Sequence, residues 1–93
     1  SMIELHTGTF ANHPPGADRA QEAERLRAAA ELGHRLGLQV NAGHGLTVAN
    51  LPDLFVVPHL AELNIGHSLV ARAIQTGLAQ AVREMLAVMA RYP

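Results

Sequence analysis

Two turns in this sequence place glycine and histidine directly after a short apolar stretch: Gly43-His44-Gly45 within "VNAGHGL", and Gly66-His67 within "LNIGHSL". Glycine has no Cβ, so its backbone can approach an anion closely and can take a positive φ. If Gly66-His67 opens a helix, the free N–H groups of the first turn and the positive end of the helix dipole face that anion. Two neighbouring strand ends of this kind can share one phosphate and set an imidazole beside it. Neither pair carries the fuller glycine spacing of a mononucleotide loop, and no GxGxxG or Walker pattern occurs. The competing reading is plain: Gly43 and Gly45 make a tight strand-to-helix turn, and His44 is a structural histidine.

Other reactive side chains fall into place around these turns. Glu4 lies inside a strand pattern, where an acid is expected to be buried and costly unless it is used. His6, His44 and His67 could be combined into a metal set. They bring neither a carboxylate nor close fixed spacing, so no metal is expected. Ser68 beside His67 lacks a nucleophile elbow, which removes a hydrolase triad. His13 stands in a proline-rich loop, His34 on a helix and His59 after a proline, and none of the three is assigned chemistry.

The elements that must position these residues follow from pattern. "MIELHTG" reads as a strand over 2–6 closed by Thr7-Gly8, and "TFANHPPGAD" as a loop without regular structure. Asp18, with Gln21 three residues on, is expected to cap a helix over 18–36. Ala23, Leu26, Ala30 and His34 share one face of that helix, and Gly37 stops it. Strands are expected over 38–42 and 61–65, separated by a stretch with Pro52 and Pro58 that holds a short helix or turns. Ile74, Leu78, Val82, Met85 and Met89 recur at steps of three and four, which predicts one apolar face on a helix over 76–90. Strands alternating with helices imply an α/β fold with parallel strands, in which ligands collect at the carboxyl ends of the strands. Glu4, His6, Asn41, Gly43, His44, Gly45, Asn64, Gly66 and His67 all cluster at those ends.

Composition excludes several classes. The 93 residues are 48% apolar and 16% charged with net charge −1, which suits one small soluble domain. Near-neutral charge, one Tyr and two Phe argue against nucleic acid as a partner. No cysteine is present, so there is no disulfide framework and no thiolate nucleophile. No apolar run approaches a membrane span and no signal peptide is read, so a cytoplasmic setting without membrane contact is expected. Ser1-Met2 reads as an expression scar.

The strings "IELHTG", "LGLQVNAGHGLT", "ELNIGHSLVARAI" and "GLAQAVREM" resemble, in order and spacing, the C-terminal part of the pyridoxine 5'-phosphate synthases, the PdxJ family. The resemblance covers residues 3–93. It implies the last three βα units of a (β/α)8 TIM barrel with parallel strands. It also implies an enzyme of vitamin B6 biosynthesis, in which 3-amino-2-oxopropyl phosphate condenses with 1-deoxy-D-xylulose 5-phosphate to give pyridoxine 5'-phosphate, phosphate and water. His44 matches the family's proton donor and Glu4 its transition-state stabiliser. Gly45, Gly66 and His67 match positions that hold the phosphate of the amino-oxopropyl substrate. No cofactor is implied.

A full barrel needs about 200 residues or more. The family's N-terminal segment, with its base histidine and glutamate, is expected to lie outside this chain. Three strands alone leave two open edges and are expected to leave an apolar face uncovered, so a homo-oligomer is expected. A non-catalytic phosphate-binding or self-associating α/β module is the alternative.

Overall fold

Alternation along the first strand decides the sheet's two faces. In β1 (Met2–His6), Ile3 and Leu5 point to one side and Glu4 and His6 to the other. The computed structural model describes residues 1–93, the side chains of His67 and Ser68 excepted. β1 pairs in parallel with β2 (Gln39–Gly43), which pairs in parallel with β3 (Leu60–Asn64), giving the order β1-β2-β3. The register sets Glu4 beside Asn41, and His6 beside Gly43, which in turn neighbours Asn64. A shift in the β2–β3 ladder between Val40 and Asn41 skips Ala61, a bulge that bends the last strand.

The apolar face is covered. α2 (Ala17–Arg35) lies across it, burying Ala23, Leu26, Ala30 and Gly33. Gly33 permits the contact, because a Cβ there would come within 2.7 Å of Ile3 Cδ1 and 3.2 Å of Val40 Cγ2. Leu5, Val40, Ala42, Leu46, Leu51, Leu54 and Met85 complete one core, joined by Phe10, which is fully buried. Each large side chain so buried contributes about 1.5–3 kcal/mol. The other face carries Glu4, His6, Gln39, Glu62 and Asn64, all exposed. The expectation of an uncovered apolar face is thereby corrected: the open face of this sheet is polar.

Several other expectations change. The segment after β1 is not all loop: α1 (Gly8–Asn12) forms there, because burial of Phe10 outweighs the prolines that follow. α2 starts at Ala17 with Gly16 as its N-cap and no side-chain cap bond, so Asp18 sits in the first turn and does not cap. Its carboxylate still favours the positive end of the helix dipole. His34 is exposed, and Gly33 takes the core position next to it. The stop is as expected: Gly37 takes φ 78, with Gly37 N–H on His34 O and Leu38 N–H on Gly33 O, a Schellman pair.

The helix expected over 76–90 forms within two residues of its bounds, and a further helix that the apolar spacing did not separate from it stands before it. α3 (Gly66–Thr76) and α4 (Leu78–Met89) meet at Gly77, whose φ of 83 breaks the axis. The run of apolar residues therefore spans a corner. Ile74 and Leu78 are exposed, while Met85 is buried. Arg72 and Glu84 clasp the two helices at 2.9 Å. The stretch with the two prolines holds a 3₁₀ turn, Leu51–Leu54. Near the other end Tyr92 Oη accepts from Leu60 N–H at 3.0 Å and donates to Val57 O, fixing the start of β3. No helix among the described residues is long and apolar enough to cross a membrane.

Candidate functional site

The carboxyl ends of the three strands open on one cleft of about 650 Å³, lined by Glu4, His6, the turn 43–47, and Asn64, Ile65 and Gly66. Both glycine–histidine turns reach it. No lysine or arginine is among the lining residues. Gly66 is the first residue of α3, so the unpaired N–H groups of that helix's first turn lie at the rim. His67 follows on the same turn, and its side chain lies outside the described residues.

The first turn is held from three directions. His44 adopts φ 98, a region that costs a non-glycine residue about 1–3 kcal/mol and persists only where surroundings impose it. Thr7, fully buried, imposes it: its Oγ1 donates to His44 O at 2.6 Å and its N–H donates to Gly43 O at 3.0 Å. Gly45 follows with φ 76, and a Cβ there would meet Ala11 Cβ at 2.7 Å. Asn50, buried, donates from Nδ2 to Gly45 O at 3.0 Å. Asn50 and Thr47 also exchange hydrogen bonds, Thr47 N–H to Asn50 Oδ1 at 2.8 Å and Asn50 N–H to Thr47 Oγ1 at 3.1 Å. This reciprocal pattern is that of a capping box, with Asn in place of Glu or Gln. Thr7 and Asn50 were not singled out from sequence. The Thr47-x-x-Asn50 spacing ahead of Pro52 was the available signal for Asn50.

Glu4 is not buried as expected. It stands on the open polar face at the cleft, where Asn64 Nδ2 donates to its Oε1 at 3.1 Å. Gly43 lies beneath it: a Cβ on residue 43 would come within 2.6 Å of Glu4 Oε1 and 2.8 Å of Asn64 Cβ. Gly43 is thus required by the acid's position more than by the turn. Gly66 differs, since a Cβ there would find no described atom within 4 Å beyond its own helix turn, and its φ lies outside the left-handed region. The space in front of it is open to a ligand.

His6 and His44 stack, with ring centroids 4.5 Å apart and planes 24° apart. They meet face to face. Among the described residues no group of three or more His, Asp or Glu could hold a metal ion. His34 and His59 form a second stack at 3.7 Å, away from the cleft, with His59 Nε2 3.5 Å from Glu31 Oε2. Asn41 is buried on the polar face, donating to Met2 Sδ and accepting from Gln39 Nε2 at 3.0 Å. A carboxylate, imidazoles and main-chain N–H groups therefore line one space at the carboxyl ends of the strands.

Comparison with known proteins gives the family. Residues 1–91 match the model of a family described as pyridoxal phosphate biosynthesis protein PdxJ. A pyridoxine 5'-phosphate synthase of Akkermansia muciniphila is 61% identical over 90% of this chain and 34% of its own length. Those of Thioalkalivibrio sulfidiphilus and Synechocystis are 52% and 48% identical over 97% and 99% of the chain, and 37% and 38% of their own lengths. The chain spans little more than a third of the curated relatives it matches.

Proposed function

The chain belongs to the PdxJ family of pyridoxal phosphate biosynthesis proteins, and we propose that it is the C-terminal part of a pyridoxine 5'-phosphate synthase, three βα units of a (β/α)8 barrel. Coverage of little more than a third of each relative supports this. So does the polar face of the sheet, which suits the inside of a closed barrel around a site. In the full-length enzyme, 3-amino-2-oxopropyl phosphate and 1-deoxy-D-xylulose 5-phosphate are joined, phosphate and water leave, and the pyridine ring closes.

The observation that carries the reading is that both glycine–histidine turns, Glu4 and His6 line a single cleft free of lysine and arginine. There the substrate phosphate is held by main-chain N–H groups of Gly45, Gly66 and His67. Such bonds to an ionised oxygen are among the stronger hydrogen bonds, and the dipole of α3 adds to them. His44 delivers a proton to the departing group. Glu4, anchored by Asn64, offsets positive charge that develops on the substrate nitrogen. The enzyme works in the cytoplasm, and with two open strand edges in this part it assembles with the rest of its barrel and with further copies.

Replacement of His44 by Asn in the full-length synthase tests the assignment. Turnover should fall about 10²–10⁴-fold, the usual cost of a lost proton donor, with phosphate affinity retained. Unchanged turnover would remove His44 from the chemistry.

A further inference from the structure

His6 lines the cleft without an assigned role, and its ring stacks on the His44 imidazole. We propose that His6 is a positioning residue for His44: its flat face is the platform that holds the His44 ring in the plane from which it delivers a proton. The inference rests on the proton-donor reading of His44.

The backbone at His44 is clamped by Thr7, but a clamped backbone leaves χ1 and χ2 free. Among the described residues the His44 imidazole makes no hydrogen bond, so no polar contact among them fixes its plane. The stack on His6 does, at 4.5 Å and 24°, within the range of offset aromatic pairs. His6 is itself fixed. Gly8 N–H donates to its Nδ1 at 3.3 Å, which orients the ring. An aromatic face suits a proton donor in both of its states. It packs against the neutral ring and attracts the cation.

Gly8 shows how closely this pair is fitted. A Cβ on residue 8 would come within 2.7 Å of His6 Cε1 and 3.0 Å of His44 Cδ2, touching both rings at once. Residue 8 thus supplies the hydrogen bond that orients one ring and the gap that admits the other. His6 is exposed and outside the core, so replacing it leaves the fold intact.

The test is steady-state kinetics of the full-length synthase with 3-amino-2-oxopropyl phosphate varied. His6→Ala should lower kcat about 10- to 100-fold, the scale of a misplaced catalytic group, with KM within about twofold and an unchanged melting temperature. His6→Phe, which keeps a flat face and lacks the acceptor, should recover most of the loss. His6→Asn, which keeps an acceptor for Gly8 N–H and lacks the face, should not. In a His44→Asn background His6→Ala should cost nothing further, because its effect passes through His44. A wild-type kcat in His6→Ala, failure of Phe to rescue, rescue by Asn, or additive losses in the double variant would each overturn the proposal. A wild-type kcat in His44→Asn would instead overturn the proton-donor reading on which it rests.

Discussion

Glu4 lies directly over Gly43, so near that a single added carbon on residue 43 would stand 2.6 Å from the Glu4 carboxylate oxygen. The third neighbour, Asn64, supplies the hydrogen bond that holds the carboxylate there. A strand position that must carry no side chain is thus the seat of an acidic one from the strand beside it. The acid's place in the cleft is written into β2 as much as into β1.

Gly43→Ala therefore acts on Glu4. The new methyl must displace the carboxylate or Asn64, at a stability cost of about 1–3 kcal/mol for overpacking. In the full-length synthase kcat should fall about 10²-fold, matching the loss from Glu4→Gln. Thermal melting and steady-state rates on both variants check this. A fully active Gly43→Ala would mean that the carboxylate's position is immaterial.

Thr7→Val removes the hydroxyl that donates to His44 O while keeping shape. The lost hydrogen bond should cost about 1 kcal/mol of stability. The larger effect should be on rate, since φ 98 at His44 loses its restraint and the imidazole wanders. Activity falling while the melting temperature shifts by only a few degrees is the expected pattern. A loss in proportion to stability alone would make Thr7 a core residue and nothing more.

The clasp between α3 and α4 should be sensitive to acid. The hydrogen bond from Arg72 holds the Glu84 carboxyl below the ordinary carboxylate range, against a smaller opposing effect of desolvation and with help from Gln80. A depressed acid stabilises the fold above its unfolded pKa and loses that contribution as pH falls through the folded one. The melting-temperature gap between the native protein and Glu84→Gln should be present at neutral pH and close at pH below the carboxylate range. Both groups are partly exposed, so the gap is small and shrinks with added salt.

How much of this was legible in the residues follows from what each signal measures. Strand alternation and the stop at Gly37 are local, and β1, β2, β3, α2 and α4 came out within a residue or two of expectation. The corner at Gly77 was missed because apolar spacing of three and four continues across it, and periodicity cannot see a positive φ. α1 was hidden by the prolines after it, because its reason for forming is the burial of Phe10 under distant chain. At the site, the glycine–histidine turns and Glu4 could be picked out by type and spacing. The exposure of Glu4 could not, because it depends on which face of the sheet α2 covers. Thr7 acts on a carbonyl 37 residues away, a relationship no spacing rule contains.

The central claim is that main-chain N–H groups, and not imidazole side chains, grip the phosphate between the two turns. Gly66 is the cleanest probe, because a Cβ there meets no described atom within 4 Å beyond its own helix turn. Calorimetric titration of inorganic phosphate into the full-length synthase, Gly66→Val and His67→Ala measures the claim directly. Val at 66 fills the approach to the helix N-terminus and should weaken binding by about tenfold or more, the loss of roughly one charge-assisted hydrogen bond. Ala at 67 keeps its N–H and should bind within about threefold of the native protein, less than the value of one neutral hydrogen bond. If His67→Ala proved the weaker binder and Gly66→Val bound phosphate normally, the imidazole would be the anion's partner and the main-chain account would be wrong.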